Sequence, residues 1–171
     1  MARALLLVGH GGVPSDFPRQ ELAVLKRLES ERRRVGAPVS PAEAELDAKL
    51  RAWPRTAITD PYLAGFEGLA QELRDRVSYP VFTAYNEFCA PTIEEAVAAI
   101  HANGFIELMV VTTMLTPGGS HAAVEIPEVL ELCRARHPSL TITYAWPFAP
   151  QSVSTFLASH VEGRWPKTNA H

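Results

Sequence analysis

Hydrophobic positions along the chain follow two patterns, and the two alternate. Strand-sized runs occur at residues 4–9 (ALLLVG), 81–87 (VFTAYNE), 106–114 and 141–145, the third broken by Glu107 and two threonines. The continuous apolar run at 4–9 fits a strand buried on both faces. Between them, apolar residues recur at helical spacing. Leu22, Leu25 and Leu28 share one face of a helix over residues 18–34. Leu46, Leu50 and Trp53 form a second such stripe, and Leu63, Phe66, Ala70, Leu73 and Val77 a third. Ile93, Ala96, Val97 and Ile100 give the i, i+3, i+4, i+7 signature of a fourth.

Start and stop signals agree with these periods. Ser40-Pro41-Ala42-Glu43 reads as a serine cap, a proline in the first turn and a glutamate closing a capping box. Asp60-Pro61 opens the next helix, Thr92-Ile93-Glu94-Glu95 is a second capping box, and Asn103-Gly104 ends the helix it begins. A loop at residues 116–121 leads into a helix reaching Arg136, with Pro127 in its first turn, and a last helix spans residues 151–160. Arg32, Arg33 and Arg34 sit at a helix C-terminus, where solvated cations complement the dipole; the alternative reading of the triple is a ligand-binding patch.

The alternation predicts an α/β fold: a flavodoxin-like parallel sheet of about four strands, order 2-1-3-4, with helices on both faces. The helical stretch between the first two strands exceeds what a β-α-β crossover needs. Residues 35–60 are therefore read as a helical insertion that packs over something. The expected organisation is one domain over residues 1–162 and a polar, disordered C-terminal tail over 163–171.

Composition narrows the partners. At 171 residues the chain can bury a core without staples, and 47% hydrophobic residues exclude a disordered chain. A formal charge of −3 and a pI near 6.1 argue against a nucleic-acid or anionic-membrane partner. The opening apolar run is too short for an export signal or a spanning helix. With only Cys89 and Cys133, and no metal-finger spacing, the expectation is a cytoplasmic protein with reduced, buried thiols.

Open parallel sheets bind ligands beyond the carboxyl ends of their strands, near the switch point. Three potential metal ligands or bases fall on that edge: His10 after the first strand, Glu87 at the end of the second, and His121 after the third. Both histidines are flanked by glycines, Gly11 and Gly12 on one side, Gly118 and Gly119 on the other, which permit close approach of backbone and ligand. His101, His137, His160 and His171 fall on helices, helix ends or the tail and read as structural or surface residues. Nucleotide motifs fail: Pro14 occupies the third glycine position of a dinucleotide fingerprint, and there is no P-loop lysine and no nucleophile elbow. No nucleotide cofactor is expected.

The segments LLLVGHGG, YNEFCAPTIEEAV and VVTTMLTPGGSHAAVEIPEVL, followed by TITYAWP, closely resemble the sirohydrochlorin chelatase family of the CbiX type. The resemblance implies a class II chelatase that inserts a divalent ion, Co²⁺, Fe²⁺ or Ni²⁺, into a sirohydrochlorin-type tetrapyrrole without ATP, in cobalamin, siroheme or related biosynthesis. It places the active-site histidines at His10 and His121, the metal-binding glutamate at Glu87, and the acidic residue after the second histidine at Glu125. It also implies a homodimer, two copies standing for the two halves of longer relatives, unless the stripe of Leu46, Leu50 and Trp53 caps the cleft within one chain. Gly12-Val13 stand where the family often has Ser-Arg, so a contact to substrate carboxylate is missing or replaced. Imidazoles and a carboxylate without thiolates suit a borderline ion that must be released again. The alternatives are a tetrapyrrole or metal carrier without turnover, and an α/β protein whose histidines bind a small anion.

Overall fold

The computed structural model describes residues 2–164. Its elements run β1 (Arg3–Gly9), α1 (Arg19–Val35), α2 (Pro41–Arg51), α3 (Pro61–Arg74), β2 (Val81–Tyr85), α4 (Ile93–Ala102), β3 (Glu107–Thr112), a π-helical turn (His121–Glu125), α5 (Ile126–Arg136), β4 (Thr141–Tyr144) and α6 (Pro150–Glu162). The four strands form one parallel sheet in the order β2-β1-β3-β4, the α/β topology that the alternating pattern predicts. Residues 165–171, most of the polar tail, lie outside the described residues.

β1 is central, and its run ALLLVG is buried because both faces are covered. Ala4, Leu6 and Val8 point toward α4 and α5, whose Val97, Ile100, Ile126 and Leu130 complete the larger core. Leu5 and Leu7 point the other way, toward Phe66 and Ala70 of α3. Each fully buried leucine or isoleucine contributes roughly 1.5–3 kcal/mol relative to exposure. The second face is only half covered. Over β3 and β4, Met109, Thr141 and Thr143 stay exposed, and α6 buries none of its residues.

The stretch read as an insertion is α2 with its flanking loops. It packs on α1 through Leu25 and Leu50, with Phe17 beneath them and Phe88 at the edge. An isolated 11-residue helix is marginal in water, so this burial holds α2. Ser40 caps α2 by accepting from the Glu43 N–H, but the reciprocal half of the expected capping box is absent. The buried Glu43 carboxylate instead takes the partly buried Arg32 at 2.7 Å. Arg32 thus departs from the reading of Arg32–Arg34 as solvated: it ties α1 to α2.

Candidate metal centre

The β1–β2 ladder does not stop at the strand ends. Asn86 N–H donates to Gly9 O at 2.9 Å and Glu87 N–H to His10 O at 2.8 Å. β2 ends at Tyr85, two residues before the predicted Glu87, but these two bonds carry Glu87 along beside His10. Such closeness requires glycine at position 11. Its φ is +98°, and a Cβ there would lie 1.8 Å from the Glu87 carbonyl oxygen. A Cβ on Gly12 would meet Asp60 at 3.0 Å and Tyr62 at 3.2 Å. The need for glycine at 11 and 12 therefore comes from protein packing. Gly118 and Gly119 face open space.

After Glu87 the chain reverses tightly. Phe88 has φ +60°, a left-handed conformation uncommon for a bulky residue, and Cys89 N–H donates to Glu87 O at 2.7 Å. Backbone strain of this kind persists only where surrounding structure fixes it. Arg55 does much of that fixing. Its buried guanidinium pairs with Asp60, itself 2% exposed, and donates to the carbonyls of Gly12, Leu50 and Phe88. Arg51 adds a bond to Cys89 O at 2.7 Å. The helical stretch between β1 and β2 thus braces the loops of the site. Spacing and periodicity held no signal for Arg55, which joins nearby Leu50 and Asp60 to the carbonyls of Gly12 and Phe88, both distant in sequence.

His121 comes from the π turn. Ile126 N–H donates to His121 O, five residues back. Pro127 has no N–H, so continuing this wider register would leave Ala122 O without a backbone donor. The Tyr144 hydroxyl supplies it at 3.1 Å. The turn brings His121 Nδ1 within 2.9 Å of Glu125 Oε2, and Asn86 Nδ2 donates to the same oxygen at 3.0 Å. A carboxylate only accepts, so His121 carries its proton on Nδ1. Burial raises the Glu125 pKa, and the hydrogen bonds from His121 and Asn86 more than offset this, leaving it below the usual carboxylate range.

His10 Nδ1 lies 2.7 Å from Gly11 O, an acceptor, so it too carries the ring proton. Both imidazoles therefore leave Nε2 as a free lone pair. Carboxylate- and carbonyl-oriented histidines of this kind are typical of metal sites. His10, Glu87 and His121 each offer a ligand atom, all three within 4.8 Å of one another. His10 Nε2 lies 3.8 Å from Glu87 Oε2. Ligands on one ion with bonds near 2 Å stand at most about 4 Å apart, so closing the set takes side-chain movement of about an ångström. Among the described residues this is the one group of three histidine, cysteine or acidic side chains able to hold an ion.

Arg33 stays exposed, as the solvated reading of the arginine triple expects, and its Nη2 reaches Glu87 Oε1 at 3.5 Å. Asn86 was not singled out in the sequence, and Arg33 only as one of the arginine triple. Asn86, adjacent to Glu87 in the YNE run, had the better signal. Both cysteines are free and buried. Burial pushes their thiols up, Cys133 to about 11.

The sequence profile of the CbiX family matches residues 59–160, which is more than half of the chain and includes Glu87, His121 and Glu125. This chain belongs to the CbiX family. The match starts just before α3, so β1 with His10, α1 and α2 lie outside it. A search of curated proteins finds no match. Among solved structures, a protein from Marinobacter aquaeolei VT8 assigned to cobalamin (vitamin B12) biosynthesis as CbiX is similar, with a TM-score of 0.54 at 18% identity over 94% of this chain and 98% of that one. The sirohydrochlorin chelatase SirB from Bacillus subtilis subspecies spizizenii, in complex with cobalt, is similar with a TM-score of 0.50 at 23% identity. That alignment covers 96% of this CbiX-family chain and 51% of SirB, so the chain spans about half of SirB's length. No helix among the described residues of this CbiX-family chain is long and apolar enough to cross a membrane.

Proposed function

We propose that this chain inserts a divalent metal ion into a sirohydrochlorin-type tetrapyrrole without a nucleotide. The observation that carries the reading is the convergence of His10, Glu87 and His121, with both histidines held in the tautomer that frees Nε2. Membership of the CbiX family supports it. Two imidazoles and one carboxylate hold a borderline ion and leave coordination positions open for the macrocycle nitrogens. The macrocycle loses two N–H protons for each divalent ion it takes. The free Nε2 atoms and the Glu87 carboxylate are the acceptors at hand. Co²⁺, Fe²⁺ and Ni²⁺ all fit this donor set. The orientation of His121 depends on Glu125 and Asn86, which act as positioning residues.

We also propose that two copies pair through the half-bare sheet face. A hollow of about 520 Å³ there is bounded by Leu5, Leu7, Met109, Val111, Phe148 and Phe156. The expectation that α2 could lid the cleft finds less support, because Leu50 is spent on α1 and Phe17.

The test mixes the protein with metal-free sirohydrochlorin and each ion in turn and follows the absorbance of the macrocycle. Many turnovers per chain are expected with at least one ion. Uptake that stops at one equivalent would make the protein a carrier.

A further inference from the structure

We infer that α1 carries an anion subsite for the carboxylate-bearing rim of the macrocycle, built from Lys26 and Arg33. The inference rests on the proposed function and adds to it the residues that would hold the substrate's periphery.

A cavity of about 430 Å³ opens directly on the candidate metal centre, with Glu87 and His121 in its wall. Along one side it is lined by a single stripe of α1: Lys26, Glu29, Ser30 and Arg33. These positions follow the i, i+3, i+4, i+7 spacing of one helix face, and seven residues span about 10.5 Å along the axis. The two cations therefore stand two turns apart on one edge of a cavity whose other edge is the metal centre. A flat macrocycle presenting its nitrogens to an ion must project its rim over the surrounding wall. Phe88 supplies an apolar surface in that wall.

The two cations have capacity to spare. Lys26 is exposed and makes no ion pair among the described residues. Arg33 makes one long contact, 3.5 Å to Glu87, and its side chain is 56% exposed. A guanidinium offers five donors and matches a carboxylate bidentately. Glu29 is the opposing charge in the stripe. It is half-buried, and burial followed by the charge of Glu87 raises its pKa.

A merely structural Arg33, one that holds Glu87 in place, makes a different prediction, because its loss would weaken metal binding. A cation in an anion subsite opposes the metal ion, so its loss leaves metal affinity unchanged or raised. The experiment measures two affinities separately on the full chain: Co²⁺ alone, by its absorption bands, and metal-free sirohydrochlorin alone, by fluorescence. Lys26→Gln and Arg33→Gln should each weaken the macrocycle about tenfold, the size of a lost charge-assisted hydrogen bond, with undiminished Co²⁺ affinity. Arg33→Lys, which keeps the charge, should recover part of the loss. Wild-type macrocycle affinity in the Lys26→Gln/Arg33→Gln double variant would overturn the subsite alone. Parallel loss of Co²⁺ affinity would overturn it in favour of the structural role. A wild-type protein that binds Co²⁺ but no sirohydrochlorin would overturn the proposed function and the subsite with it.

Discussion

The imidazole rings of His10 and His121 meet edge to face, centroids 4.8 Å apart and planes at 83°. One ring follows β1 and the other follows β3, the two strands that flank the switch point of the sheet. Neither ring packs in a core, so both can be removed without opening a cavity.

His10→Ala and His121→Ala should therefore abolish metal insertion, by at least about 100-fold, while the far-ultraviolet circular dichroism and the melting temperature stay near wild type. Full turnover in either variant at saturating metal would exclude both the ligand role and the base role.

Glu125→Gln should keep the volume of the side chain and remove the charge that fixes the His121 tautomer. Second partners of metal-bound histidines typically contribute 10–100-fold to metal affinity. A loss within that range, read from a Co²⁺ titration, is expected. An unchanged titration would show that Asn86 and the π turn orient His121 unaided.

Much of this was legible in advance, for physical reasons. A central parallel strand buried on both faces, β1, writes itself as an unbroken apolar run, and the alternation of strand-sized and helix-spaced segments places the carboxyl ends that carry His10, Glu87 and His121. What escaped prediction depends on partners far apart in sequence. Arg32 binds Glu43 instead of water, and that same contact takes Glu43 out of its capping box. Arg55 gathers two loop carbonyls, of Gly12 and Phe88, and the Leu50 carbonyl of α2, a set that no periodicity marks. The π turn was invisible because nothing in the run from His121 to Ile126 distinguishes a five-residue hydrogen-bonded ring from an ordinary helix start.

Arg55→Ala should be among the most destabilising single changes in the protein. It leaves Asp60 charged and buried, for which a cost of about 3–5 kcal/mol is typical. Denaturant melts check this. Replacing Asp60 as well should recover a good part of the loss, since the stranded charge goes with it. A neutral Arg55→Ala would mean that water already reaches the pair.

Neither cysteine should react with a thiol reagent in the native protein at pH 8, because burial raises both pKa values and shields both sulfurs. The sign follows for stability. A raised native pKa contributes stability below the unfolded value, and that contribution is lost as pH rises through the native one. For Cys133 the window lies between about 9 and about 11. Rapid labelling of the folded chain by an alkylating reagent, or an alkaline melting profile that is flat across this window, would contradict the burial.

Light scattering at micromolar concentration should give twice the chain mass. Phe156→Glu, on the exposed side of α6, should halve it while leaving the fold intact. A wild-type monomer with undiminished turnover would rule out an obligatory pair.

The π turn stores a residue without changing where His121 faces. Its five-residue hydrogen-bonded ring covers nearly the rotation that four residues cover in an α-helix. Deleting Ala123 or Val124 would let the segment close into α5 as plain α-helix, with His121 O still accepting from the Ile126 N–H. A gap inside α5 itself would instead turn His121 by about 100° around the axis. A one-residue gap in a related sequence within the turn is thus compatible with an intact pair of histidines, and the same gap a few residues later is not.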